Sequence, residues 1–178
     1  MGECMTTKDI VLVGLLAALL KASQAILSFL PNIEIVSLLI LVFAIKLGAK
    51  KTLYITTVFS VLNMLIWGIN PASIGYFGVW GAFAIACSLL KGFITNEFRA
   101  ALILGLFGIC FGFLFVIVYL PIDKTYAITY WLNGISFDII HAISNFIIGL
   151  WVFKPAINGF DRAYKAIYMN SNSKRNYI

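Results

Sequence analysis

Charge is the scarcest property of this chain. Of 178 residues only 11% are charged and 62% are hydrophobic, with a mean hydropathy of +0.99. Soluble domains run near a quarter charged, so the composition is that of a polytopic membrane protein. Strands of alternating apolar and polar residues are also missing, which excludes a transmembrane barrel. Cysteine is sparse: Cys4, Cys87 and Cys110 are odd in number and widely spaced. They are expected to be packing thiols rather than a disulfide framework or a thiolate metal site. Histidine occurs once, and Asp138-x-x-His141 offers two metal ligands without a convincing third, so no metal is expected. Dinucleotide, Walker, zincin and nucleophile-elbow motifs are all absent. Asp138 and His141 as an acid–base pair would have no nucleophile beside them. No catalytic residue and no cofactor is therefore assigned. The net charge of +6 comes without a basic patch interleaved with aromatics, so nucleic acid is not an expected partner.

What the chain does have is apolar runs. At roughly 20 apolar residues per helical span, there is room for about six helices and for no separate soluble domain. The expectation is one all-α membrane domain, residues 1–178, in the form of a six-transmembrane-helix bundle. Its spans fall at about 10–30, 35–47, 52–67, 74–90, 100–120 and 134–153, with a polar basic tail over 154–178 whose residues 170–178 fray. Pro31 ends the first span, and Leu47-Gly48-Ala49-Lys50-Lys51 makes a basic turn after the second. Gly68 to Ser73 is an uncharged turn, and Pro121 to Asn133 is the longest loop. Gly105, Gly108 and Gly112 on the fifth span form a close-packing pattern. Lys8, the following apolar run and Ala22-Ser23-Gln24-Ala25 loosely resemble a signal peptide. Apolar character continues past Ala25, so an uncleaved span is expected. With the N-terminus cytoplasmic, eleven lysines and arginines lie on inner segments and only Lys124 on an outer loop. That bias predicts both termini inside.

The first span carries two messages on neighbouring faces. Gly14, Ala18, Ala22 and Ala25 form a stripe of small side chains that lets another membrane helix approach. Ala17, Lys21, Gln24 and Ser28 form a second, polar stripe. A lysine inside an apolar span needs a polar partner, a cavity or a ligand. At about 1.5 Å per residue, Lys21 lies roughly 13 Å below the outer end of its span. By the same measure Asp138, His141 and Asn145 lie roughly 6, 10 and 16 Å below the outer end of the last span, all on one face. Asn63 sits one turn inside the outer end of the third span with Trp67 above it, and Glu34 is at the outer mouth. Every strongly polar intramembrane group thus falls in the outer half or near the midplane.

Each of these groups has a plainer alternative. Lys21 and Asp138 would neutralise each other as a buried pair, Asn63 and Gln24 would staple helices, and Glu34 would cap the second helix. Aromatics gather on the same side: Trp67, Tyr76, Phe77, Trp80, Tyr119, Tyr126, Tyr130, Trp131 and Phe137. They form either an interfacial belt or, with Trp67, Tyr76 and Trp80 foremost, a stacking wall for a ring-bearing solute.

Six spans, an outer pocket and a small-residue first helix resemble the substrate-binding S components of energy-coupling factor (ECF) transporters, the vitamin importers of prokaryotes. The resemblance covers nearly the whole chain. It is carried by Ala18-x-x-x-Ala22, with Ile26 where the family's motif has another alanine, by Leu30-Pro31-Asn32-Ile33-Glu34, and by Phe137-Asp138-Ile139-Ile140-His141 through Lys154-Pro155. It implies a multi-pass subunit of the prokaryotic cell membrane that captures a vitamin or related micronutrient from outside. Such a subunit docks on a transmembrane coupling protein carrying two cytoplasmic ATPases and topples to release its cargo inward. The docking residues would be Gly14, Ala18 and Ala22. The substrate site would hold Lys21, Gln24, Glu34, Asn63, Trp67, Tyr76, Trp80, Asp138, His141 and Asn145, with Glu34 and the Gly68 to Ser73 loop as a lid. Biotin-, pantothenate- or lipoate-like acids, a modified purine base and cobalamin all remain open as ligands. The competing class is a self-contained facilitator, channel or structural membrane subunit.

Overall fold

The computed structural model describes residues 5–173, with side chains through residue 166, and among them every regular element is helical. The order is α1 (Thr7–Ile26), α2 (Val36–Trp67), α3 (Pro71–Leu89), a 3-10 turn (Leu90–Gly92), α4 (Glu97–Tyr119) and α5 (Lys124–Ser173). Four helical stretches are long and apolar enough to cross a membrane: Thr7–Ile26, Pro71–Gly92, Glu97–Tyr119 and Lys124–Ala166. Much of their apolar surface faces outward, as with Leu89 and Trp151, each more than three-quarters exposed. A soluble protein does not leave apolar area on that scale uncovered, so the surface is compatible with a membrane-embedded protein.

Helix starts follow local chemistry. Thr6 caps α1 in a reciprocal box with Asp9, and Asn70 caps α3 the same way with Ser73, with Pro71 in the first turn. Asn96 accepts from Arg99 N–H to open α4. α2 is broken at Gly48, whose φ of 78° is in the left-handed region that glycine tolerates best. The break reverses the chain. Lys51 meets Asp9 at 2.6 Å and Lys21 meets Asn63 at 2.8 Å, so residues 49–67 run parallel to α1. Residues 36–47 run the opposite way.

α4 and α5 form the tightest interface, an antiparallel seam of small residues. A side chain at Gly108 would sit 2.7 Å from the Ala142 backbone, and one at Gly149 would sit 2.6 Å from Ala101 Cα. Close backbone approach of this kind is how helices gain packing energy in lipid, where no hydrophobic effect drives them together. Gly105, Gly108 and Gly112 therefore do what their spacing predicts.

Three segments differ from the sequence expectation. α1 ends at Ile26, because residues 27–33 tighten into successive turns before Pro31, with Leu30 N–H donating to Leu27 O and Ser28 Oγ to Ala25 O. The first connection is thus residues 27–35 rather than 32–34. α5 begins at Lys124, inside the expected loop, where Asp123 accepts from Tyr126 N–H at 2.7 Å. It also continues through Pro155 to Ser173, where a span ending at 153 was expected. Proline at this place is tolerated when freed backbone groups find other partners. Helix thus extends into the expected tail, and residues 174–178 lie outside the described residues. Cys87 is buried and Cys110 partly buried, both free thiols, while Cys4 lies outside the described residues.

Ion pairs concentrate at the end where α1 and α4 begin and α2 turns: Asp9–Lys51, Lys46–Asp161 and Glu97–Lys154. The opposite end holds the cavity.

Candidate solute-binding cavity

A cavity of about 420 Å³ opens between the end of α1, the connection 27–35 and the far ends of α2 and α3, with α4 and α5 behind. Its wall is built from three groups of side chains, each fixed by a different local device.

Lys21 and Gln24 come from α1, one turn apart. Lys21 Nζ donates to Gln24 Oε1 and to Asn63 Oδ1, both at 2.8 Å, and lies 5.7 Å from the centre of the Trp67 ring. Asn63 is fully buried and lies behind the wall. Its Nδ2 donates to Phe59 O at 3.0 Å, which fixes the amide so that the oxygen faces the lysine. Among the described residues no carboxylate pairs with Lys21. The ammonium is held by two amide oxygens and the Trp67 ring.

Glu34 and His141 form the second group. Glu34 accepts from Ser37 N–H and Ser37 Oγ, so it does cap α2, and it also lies 3.2 Å from His141 Nε2. Ser144 Oγ donates to Asn32 O at 3.0 Å, a second tie between the connection and α5. Asn32 takes a φ of 58°, which turns the chain over the cavity. A carboxylate facing Nε2 makes that nitrogen an N–H donor. His141 is 3% exposed and its Nδ1 has no partner.

The third group is aromatic. Trp80 packs at 6.2 Å from Tyr76, 5.6 Å from Phe111 and 5.5 Å from Phe107, and Phe111 lies edge-on to His141 at 5.0 Å. Trp80 is buried and its indole N–H has no acceptor.

Seven residues singled out in the sequence line this space: Lys21, Gln24, Glu34, Trp67, Tyr76, Trp80 and His141. Asp138 and Asn145 are buried in the α4–α5 seam instead and do not line it. Asp138 Oδ1 accepts from Gly112 N–H at 3.0 Å, and Asn145 Nδ2 reaches Leu104 O at 3.5 Å. The Lys21–Asp138 pairing considered above does not form. Tyr119, Tyr126 and Tyr130 stack on one another away from the cavity, and Trp131 packs on Phe113. The Gly68 to Ser73 turn is not in the wall and is fastened on itself by Asn70 and Ser73. Phe111 and, from the connection, Leu27, Ser28, Leu30, Pro31, Asn32 and Ile33 also line the cavity, though none of them was placed in the expected substrate site. Phe111 was legible in one respect, because Phe107, Phe111, Phe115 and Tyr119 repeat every four residues along one face of α4.

On the neighbouring face of α1, Gly14, Ala18 and Ala22 are exposed, and a side chain at Gly14 would meet nothing within 4 Å. Among the described residues no group of three or more potential metal ligands gathers. No protein family, no curated protein and no solved structure matches this chain.

Proposed function

We propose that this protein is the substrate-capture subunit of an ECF-type importer, taking a vitamin or related micronutrient into the cavity beside Lys21, Glu34 and His141. The observation that carries the reading is the division of labour on α1. One face presents Lys21 and Gln24 to a cavity, and another leaves Gly14, Ala18 and Ala22 open to a neighbour in the membrane. The reversal at Gly48 supports counting α2 as two crossings; on that count the spans number six, and both termini would lie on the side with the ion pairs. The basic residues on that side support its being cytoplasmic, which puts the cavity toward the outside. The partners are a transmembrane coupling protein and two ATPases, which supply the ATP hydrolysis that this chain has no motif for.

Co-expression with the coupling protein and ATPases of the same host tests it. The capture subunit co-purifies with them, and Ala18→Leu with Ala22→Leu breaks that association while the monomer stays monodisperse. Failure to co-purify, or association that survives both changes, moves the assignment to a self-contained facilitator, channel or structural subunit.

A further inference from the structure

The unbalanced charge of Lys21 narrows what the cavity takes. An ammonium at membrane depth is costly unless an opposite charge or a full set of acceptors meets it. Here two of its three protons go to the neutral amide oxygens of Gln24 and Asn63, and no carboxylate pairs with it among the described residues. The cavity's one acidic group, Glu34, is already engaged by Ser37 and His141.

We infer that the ligand is a small organic acid bearing a flat ring: its carboxylate pairs with Lys21, and its ring lies against Tyr76, Trp80 and Phe111. This rests on the capture reading above and deepens it. A cavity of about 420 Å³ is of small-molecule size. A neutral purine leaves Lys21 unbalanced.

The test is mass spectrometry of molecules released from the detergent-purified protein, for wild type, Lys21→Met and Lys21→Arg. It is paired with thermal-shift measurements using matched acids and amides: nicotinate and nicotinamide, indole-3-acetate and indole-3-acetamide, biotin and biotin amide. The expected result is a water-soluble, ring-bearing anion at near one-to-one ratio, lost in Lys21→Met and partly kept in Lys21→Arg. Among probes that shift the melting temperature, the acid exceeds its amide by roughly 10- to 100-fold in affinity, the value of a hydrogen bond to a charged group. A neutral or cationic ligand, or one that Lys21→Met retains, overturns the ligand class and leaves the capture reading standing. A fatty acid or phospholipid in its place overturns the class too, because the anion then comes from the membrane. No released molecule and no shift with any probe removes the capture reading and the ligand class together.

Discussion

Two sets of polar residues lie among the apolar side chains of this protein, and they have opposite surroundings. Asp138 and Asn145 sit in the α4–α5 seam, where backbones approach so closely that glycine and alanine are required, and Asp138 Oδ1 and Asn145 Nδ2 turn to backbone groups of α4. Lys21, Glu34 and His141 sit at the edge of empty space, tied to one another's neighbours by side chains that come from four different segments. An ionisable group in an apolar span is a functional candidate by default. The comparison shows that polarity selects the candidates and the packing around each one separates seam from site.

Mutations that treat the two regions alike should therefore give unlike results. The largest effect belongs to the seam. Gly108→Val drives a branched side chain into the Ala142 backbone, where no flexible side chain can yield. The cost exceeds the ~1–3 kcal/mol usual for overpacking, and the variant should lose its monodisperse peak in size-exclusion chromatography. Gly134→Ala is its control: open space surrounds the site, and the change should be neutral or stabilise by up to about 1 kcal/mol through helix propensity.

Next comes a crossed pair, read by thermal melting of ligand-free protein. Asp138→Ala strips the acceptor from Gly112 N–H and opens a gap in the seam, lowering stability by about 1–3 kcal/mol. Lys21→Met removes a charge that no carboxylate balances, so the empty protein should melt at the same temperature or higher. A large loss of stability in Lys21→Met would place the lysine with the structural set and erase the distinction.

A smaller effect is expected at the connection over the cavity. Glu34→Gln weakens the ties to Ser37 and His141 by about 0.5–1.5 kcal/mol. Hydrogen exchange should speed up over residues 27–35 and stay unchanged in α4. The smallest effect is at the far end, where Lys154→Ala breaks a 3.5 Å exposed pair with Glu97 and should leave the melting temperature nearly unchanged.

The helical segments were legible in the sequence because apolar runs, capping residues and Gly48 mark them directly. The glycine seam was legible because a four- and three-residue spacing of small side chains has few other uses. Lys21, Glu34 and His141 stood out as residues that apolar spans do not tolerate without reason. What could not be read was which way a face turns. Asp138, His141 and Asn145 share one stripe on α5, yet His141 reaches the cavity while its neighbours enter the seam. That outcome depends on where α4 crosses, which no periodicity within α5 encodes. The early end of α1 was hidden for a related reason. Leu27, Phe29 and Leu30 are as apolar as the helix before them, and only the turn hydrogen bonds separate them from it. The start of α5 at Lys124 was masked by the polar, aromatic composition of its first turns.

The central claim is that the space beside Lys21 is a binding site for a solute. An experimental structure of the protein purified from the cells that express it, with nothing added, tests that most directly. The account predicts density for a non-protein molecule bounded by Lys21, Tyr76, Trp80 and Phe111, with a polar atom in hydrogen-bond range of Nζ. A cavity closed by a direct Lys21–Glu34 ion pair, with the aromatic rings collapsed together, would contradict it.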